Sequence, residues 1–594
     1  MLDVEFLHSS FFHYPPYRKI TMQTSKKITL ALMLSFFASA ATLSHADETD
    51  AKKQPAKHVL LISVDGMHQA DLDWFVTAYP QSTLARMVRE GASYTNARTP
   101  FPSDSFPGMV GQLTGGNPKT TGIYYDDAYS RGLLPAGTTS CAGAKPGAEV
   151  YYAEVSAKDM NRLDSGQQIP GLYSDFTKIS QLTGHAQDLL DPKTLPVDPK
   201  TCLPVYPHQY LQVNTIFEVA KQHHLRTAWS DKHAAYDILN GPSGKGIDDL
   251  FAPEINSSVT DPSAPAGPGD DWTKDNANTQ KYDAFKVKAV VNWAKGLDHA
   301  GNNSLGVPAI FGMNFQAVST AQKLNKSNYY IDPENPSTIM TNGLGGYTLN
   351  GAVPGPVLQS ALTFVDGQLK AIISALDLRK TVVVLSAKHG QSPQNRTALT
   401  IINDGDMIDA LNCAWENNSA GCKDPSQTHL VAHAIDDDGI LMWLTDRSAK
   451  ATRFAKNFLL AYSGAGIGSD ALGNSISKPF TQAGVTRIYA GEEAEDLFGT
   501  RRGDERVPDV VGIAQQGVVW AGGKLSKIAE HGGNAHQDRH VPIVVWGAGI
   551  ARQSNDDHVE TTQIAPTILS LLALDPSELQ AVRIERTKAL PDLH

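Results

Sequence analysis

The chain has 594 residues, 41% hydrophobic and 19% charged, a balance that excludes wholesale disorder. Its formal net charge is −11, so its surface repels nucleic acid duplexes and anionic membranes at long range. An anionic small substrate would need local positive charge from a metal or from lysines.

Taken in chain order, Lys26-Lys27 precedes an apolar run over residues 28–43, and Ser44-His45-Ala46 follows with small residues where a signal peptidase reads. This is the pattern of a secretory signal, and the run is short of the roughly 20 residues that a membrane span needs. Residues 1–46 are therefore expected to be an N-terminal extension and signal peptide. Residues 47–594 are expected to be a periplasmic or secreted chain with no membrane span. Residues 59–65 (VLLISVD) read as a buried parallel strand ending in Asp-Gly. Residues 84–90 read as a helix closed by Gly91, and a second helix containing residues 109–113 starts just after Ser105. Residues 130–210 are rich in Pro, Gly, Ser and Thr and read as an insertion. Residues 214–224 have helical periodicity and lead into a strand at 226–230. Residues 241–285 are a second polar, Gly/Pro-rich insertion. A strand at 307–313, a long amphipathic helix at 358–376 and a strand at 381–386 follow. Residues 400–500 are less regular and read as a cap or sub-domain. Strands at 507–513 and 541–546 and a closing helix at 561–572 complete the chain.

Strands alternating with helices imply an α/β fold, with a mainly parallel central sheet and helices on both faces. In such sheets ligands bind beyond the carboxyl ends of the strands. Asp65 ends one strand there, and Lys388-His389 follows another. Four cysteines are present, none in a CxxC pair, so a zinc ribbon is excluded and disulfides are expected in an exported chain. Cys413 and Cys422 bracket a short polar loop and are easily paired, which leaves Cys141 with Cys202.

Four segments carry the chemistry: Ser63-Val-Asp65-Gly66, Pro102-Ser103-Asp104-Ser105-Phe106-Pro107-Gly108, Ser386-Ala-Lys388-His389-Gly390, and Glu530-His531-Gly532-Gly533. In this order, and at strand ends, they resemble the type I phosphodiesterase/nucleotide pyrophosphatase family of the alkaline phosphatase superfamily. The resemblance spans roughly residues 57–575, with poor matching in the insertions. It implies an alkaline phosphatase-like domain over residues 47–594, and hydrolysis of a small phosphate ester with a divalent metal, zinc by analogy. Ser105 matches the family's nucleophile, with a plain helix N-cap as its competing role and Ser103 as the alternative nucleophile. Asp65 and His389 match metal ligands, and His531 matches the last metal-binding histidine.

Three positions depart from the family pattern. Asp126 stands where the family has an asparagine that contacts substrate phosphate, and a carboxylate there must be protonated or paired with a cation. Lys388 replaces the aspartate that precedes the metal-binding histidine, and an ammonium cannot ligate a cation. After the middle strand, residues 314–320 offer neither the aspartate nor the histidine of the family's other metal. One metal site is therefore expected rather than two, held by Asp65, Ser105 and His389 with His531 nearby. Lys388 is expected to hold the phosphate or pair with Asp65, with an outward turn to solvent as the alternative. Lys232, in Asp231-Lys232-His233 after a strand, is expected on the same rim as a substrate-binding group. Two other readings remain open. One is a sulfatase- or phosphonate-type hydrolase on the same scaffold; the other is a degenerate member that binds a ligand without catalysis.

Overall fold

Two almost unbroken aliphatic runs, His58–Val64 and Thr381–Ser386, pair in parallel at the centre of a nine-stranded sheet. The computed structural model describes residues 55–593 apart from 153–155, 261–263, 265–266, 268, 418–420 and 425–426. The signal segment expected at residues 1–46 lies outside the described residues.

The strands are β1 (His58–Val64), β2 (Ala92–Arg98), β3 (Thr227–Ser230), β4 (Asp249–Phe251), β5 (Ile310–Phe315), β6 (Thr381–Ser386), β7 (His540–Gly547), β8 (Gln553–Asn555) and β9 (Val559–Glu560). Their order is β8-β2-β7-β6-β1-β5-β3-β4, with β9 also paired to β2. The pairings are parallel except those of β7, which runs antiparallel to both β6 and β2.

The two-residue period of a strand sends alternate side chains to opposite faces. Leu60, Ile62, Val64, Val383 and Leu385 pack under two long helices, α2 (Asn276–Ala294) and α3 (Pro356–Ser374). Val59, Leu61, Val382 and Val384 pack against α1 (Ser105–Thr114) and α4 (Ile564–Leu571). Both faces are covered, which is why the central strands read as continuous apolar runs.

Helix α2 begins inside the segment expected as a polar insertion at 241–285. It buries an Asp283–Lys286 ion pair of 3.0 Å, both side chains 0% exposed, and Asn276, Asn278, Thr279 and Gln280 are buried too. Polar letters at buried positions hide its helical period. Residues 127–210 contain a hairpin pairing Asp127–Ser130 with Ala148–Tyr151, several single-turn helices, and the Cys141–Cys202 disulfide, with a Cα separation of 5.8 Å. Cys413–Cys422 is the second disulfide, as its spacing suggests.

Residues 400–520 build two four-stranded sheets around their own apolar core. The strand expected at 507–513 is Val510–Ala514. It belongs to the second of these sheets, pairing with Gly439–Leu444 and Val485–Ala490, and not to the central one. Among the described residues no helix is long and apolar enough to cross a membrane.

Candidate active site

Strand register sets the level of the site. Ser63 of β1 pairs with Asn314 of β5 and with Ser386 of β6, so the three chains leave the sheet side by side. Asp65, Gln316 and Lys388-His389 follow directly at these carboxyl ends. Helix α1 approaches from the side. Its Gly108 permits this, because a Cβ there would lie 2.1 Å from the Lys388 carbonyl oxygen. Gln112 of the same helix donates from Nε2 to Ala387 O at 2.7 Å, fixing the helix to the β6 loop. Ser105 is the first residue of α1. The N-cap is Asp104, whose Oδ1 accepts from the Phe106 amide at 3.1 Å. The capping role that competed for Ser105 thus falls to its neighbour, and the serine hydroxyl is free for other work.

That hydroxyl lies 3.1 Å from His389 Nε2, and the same nitrogen lies 2.8 Å from Asp65 Oδ1. Ser105 and His389 are fully buried and Asp65 nearly so. His389 Nδ1 donates to Gly390 O at 2.9 Å, so a neutral ring carries its lone pair on Nε2, facing the serine. Asp65 Oδ2 accepts from Gln316 Nε2 at 2.6 Å and Asn314 Nδ2 at 3.3 Å, while Oδ1 accepts no hydrogen bond. An orphaned carboxylate oxygen, an imidazole lone pair and a hydroxyl oxygen therefore converge. Their separations approach the roughly 3.3 Å edge of a tetrahedral zinc site with about 2.0 Å bonds. The donor set fits a divalent metal. The amides of Asn314 and Gln316 orient Asp65 for it.

Lys232 supplies the local positive charge. Its Nζ is 3.4 Å from Ser105 Oγ and 3.7 Å from Asp65 Oδ2. Burial alone would lower this ammonium's pKa; Asp65, Asp231, Asp126 and Asp104 outweigh burial and raise it, so the charge is kept. Burial alone would raise the Asp65 carboxyl; the charge of the His389 ring in its protonated form, then Lys232 and Lys388, hold it well below the usual carboxylate range.

Lys388 departs from its expected place. Its side chain is fully buried, donating from Nζ to Asp231 Oδ1 at 3.0 Å and Tyr236 Oη at 2.6 Å, and it sits 4.1 Å over the Tyr236 ring. It neither pairs with Asp65 nor turns to solvent, because Asp231 at the end of β3 and an aromatic face meet its charge first. The ammonium beside Asp65 is Lys232.

The other wall is acidic. His531 stacks near His389, with ring centroids 4.4 Å apart. Its Nδ1 lies 3.7 Å from Asp104 Oδ2, 3.8 Å from Asp437 Oδ2 and 3.3 Å from Tyr125 Oη. Burial, then Lys323, His389 and Lys232, push His531 well below the ordinary histidine range, so it is neutral. Asp126 is partly buried; burial, Asp104 and Asp437 push its carboxyl well above the ordinary range. Asp437 is pushed up to about 7 by burial and by Glu530, and it accepts from Tyr125 Oη at 2.6 Å. Asp437, Glu530 and His531 have ligand atoms within 4.8 Å of one another. Glu530, however, is already engaged by Lys323 and by Lys527 at 2.6 Å.

Asp437 comes from the turn between Val431–Asp436 and Gly439–Leu444, and the Asp438 amide of the same turn donates to His531 O at 3.0 Å. Sequence reasoning missed Tyr125 and Asp437; Asp436-Asp437-Asp438-Gly439 reads only as a polar turn. Asp538, Arg539 and His540, where the chain enters β7, have partners of their own. Asp538 accepts from the Ala535 amide at 2.7 Å, Arg539 Nε donates to Thr99 O at 2.9 Å, and His540 Nε2 donates to Thr95 O at 2.8 Å.

Residues 59–145 match the model of a family described as type I phosphodiesterase / nucleotide pyrophosphatase. Among solved structures, the wild-type alkaline phosphatase PafA is similar at 13% identity and a TM-score of 0.51, over 88% of this chain and 96% of that one. A murine ectonucleotide pyrophosphatase/phosphodiesterase 5 in complex with AMP is similar at 10% identity and a TM-score of 0.48, over 88% and 96%. Phosphonoacetate hydrolase from Sinorhizobium meliloti 1021 is similar at 16% identity and a TM-score of 0.46, over 87% and 96%. No curated protein sequence matches. The chain shares its fold with the alkaline phosphatase PafA. Within that fold, residues 59–145 carry the match to the type I phosphodiesterase / nucleotide pyrophosphatase model.

Proposed function

We propose that this protein is an exported hydrolase of phosphodiesters or nucleotide pyrophosphates that works through a phosphoserine at Ser105. The observation that carries the reading is the meeting of Ser105 Oγ, His389 Nε2 and Asp65 Oδ1 at a helix N-terminus. Asp65, Ser105 and His389 would hold one divalent metal, zinc by its affinity for mixed nitrogen and oxygen donors, which would acidify the serine hydroxyl and screen the phosphate.

The remaining work belongs to the chain. The amino end of α1 favours an anion at Ser105. Lys232 donates toward the same oxygen and remains charged to meet a phosphoryl oxygen. Asp126, its carboxyl pushed well above the ordinary range, can in its protonated form donate a hydrogen bond to phosphate where a carboxylate would repel it. Neutral His531 stands on the opposite wall, toward the leaving group. Ser105 Oγ bonds to phosphorus as the ester P–O bond breaks, and water then cleaves the phosphoserine. Export is supported by the pattern of residues 1–46 and by two disulfides, which persist in oxidising compartments.

The test is hydrolysis of bis-p-nitrophenyl phosphate and of its monoester by wild type and Ser105→Ala, with elemental analysis of both. The expected result is diesterase activity in wild type, with about one zinc per chain, and its loss in a folded Ser105→Ala variant. An active Ser105→Ala variant refutes the nucleophile. Wild type without metal and without hydrolysis of any ester in the panel favours a ligand-binding role.

A further inference from the structure

His68 lies three residues past Asp65, is 2% exposed, and takes no part in the chemistry above. Its Nε2 lies against the Gln391 backbone, 2.8 Å from the carbonyl oxygen and 3.1 Å from the amide, which donates to it, two residues beyond His389. Its Nδ1 lies 3.0 Å from Asp71 Oδ2 and 2.8 Å from Tyr347 Oη. Asp71 is fixed in turn: its Oδ2 accepts from the His68 amide at 2.9 Å and from Gln322 Nε2 at 3.0 Å, and its Oδ1 accepts from Tyr347 Oη at 2.8 Å. The Gln391 side chain is held by Ser319 Oγ at 3.0 Å and by Gln322 Oε1 at 2.5 Å. The ring also packs against the loop itself, since a Cβ on Gly390 would lie 2.9 Å from His68 Cδ2.

The parallel ladder between β1 and β6 runs only as far as Ser63 and Ser386. Beyond it, the loop that carries Asp65 and the loop that carries His389 leave the sheet. The outer side of the second loop is tied to residues 530–538, through the Gly390 amide to Asp538 O at 2.7 Å and the Ser392 amide to Glu530 O at 2.9 Å. On its inner side the His68 ring ties it to the Asp65 loop, beside the contact of His389 with Asp65 itself.

We propose that His68 is a positioning residue, whose Nε2 contact with the Gln391 backbone sets the height at which His389 Nε2 meets Ser105 Oγ and Asp65 Oδ1. The proposal rests on the reading of those three residues as the reacting centre. A change of about 1 Å in the height of that loop would break the convergence, and groups that orient metal-binding and catalytic side chains typically matter by 10–100-fold.

The test uses two isosteric variants. His68→Gln keeps a polar group able to reach the Gln391 backbone. His68→Asn keeps a polar group toward Asp71 but falls short of that backbone. Expected for His68→Asn are a kcat about 10–100-fold lower on bis-p-nitrophenyl phosphate, an unchanged KM, and zinc binding about 10-fold weaker against a chromogenic chelator. His68→Gln is expected to stay within about threefold of wild type in all three. Wild-type kcat and zinc affinity in a folded His68→Asn variant overturn the proposal, and so does an equal loss in both variants, which would mark a packing effect. If His68→Asn does not fold, Tyr347→Phe removes one partner of Nδ1 without touching the loop. Its expected result is a severalfold lower kcat at unchanged KM, and no change overturns the proposal. Ser105→Ala is assayed alongside: if it is active, the reading of the site fails, whereas an inactive Ser105→Ala beside a fully active His68→Asn sinks only the positioning role.

Discussion

Replacing Lys388 by methionine removes an ammonium that lies 3.0 Å from Asp231 Oδ1, with both side chains 0% exposed. The methionine fills similar volume over the Tyr236 ring, so little packing is lost. What remains is a buried carboxylate whose other bonds are neutral: Trp229 Nε1 at 3.0 Å to Oδ2 and the Lys232 amide at 3.0 Å to Oδ1. Stranding one partner of a buried pair costs about 3–5 kcal/mol, far above the near-zero worth of an exposed pair. The Lys388→Met/Asp231→Asn double variant removes both charges and is expected to recover most of that loss. Urea unfolding followed by tryptophan fluorescence gives the four corners of the cycle, with Trp229 in contact as a local reporter. Lys388→Asp is expected to be worse than Lys388→Met, since it sets two buried carboxylates together, and it should not raise zinc content. Lys388→Met within about 1 kcal/mol of wild type, a cost no larger than an exposed pair carries, or Lys388→Asp with a second stoichiometric zinc, would refute this account of the pair.

The Asp126 carboxyl is pushed well above the ordinary range by burial, Asp104 and Asp437, so activity that depends on its hydrogen bond is present below that elevated pKa and is lost as pH rises through it. Asp126→Asn should remove that alkaline limb from the pH–kcat profile while keeping activity at pH 7. Gly390→Ala places a Cβ 2.0 Å from Gln537 O; a cost of about 1–3 kcal/mol and a lower kcat are expected from unfolding and rate measurements. Asp437 is pushed up to about 7, so the proton it binds stabilises the fold at low pH and that contribution fades as pH rises through 7. Asp437→Asn should therefore raise the melting temperature by a few degrees at pH 8 and by less at pH 5, with the difference vanishing only below the ordinary aspartate pKa of about 4. Cys141–Cys202 closes a loop of sequence separation 61, worth about 4 kcal/mol in the chain-entropy model. Cys141→Ser/Cys202→Ser should lower the urea midpoint accordingly.

The fold was legible where apolar runs are uninterrupted. Residues 59–65 and 381–386 read as buried strands because both faces of the sheet are covered, and the helix expected at 358–376 is Pro356–Ser374. Helix Asn276–Ala294 was illegible because its buried face carries Asp283, Lys286 and several amides, which satisfy one another only in three dimensions. The same limit governs the site. Asp65, Ser105 and His389 each sit in a local motif at an element end. The Asp231–Lys388 pair joins residues that a sequence separates by 157 positions, and nothing in either segment announces the other. Asp437 reaches the site from a hairpin turn in the second sheet of residues 400–520, by a route that composition does not encode.

The antiparallel strand β7 bears on the order in which the site can come into being. It is the bridge between β2 and β6: β2 reaches the rest of the sheet through β7, and its other partners, β8 and β9, are peripheral. Ser105 follows β2 and His389 follows β6, so the sheet sets their mutual distance only after residues 540–547 have docked. Docking of that kind joins parts far apart in the chain, which is slow compared with local helix formation. During folding the chain therefore carries Ser105 and His389 on separate pieces of sheet, and the arrangement is completed late, when residues 540–547 slide between them.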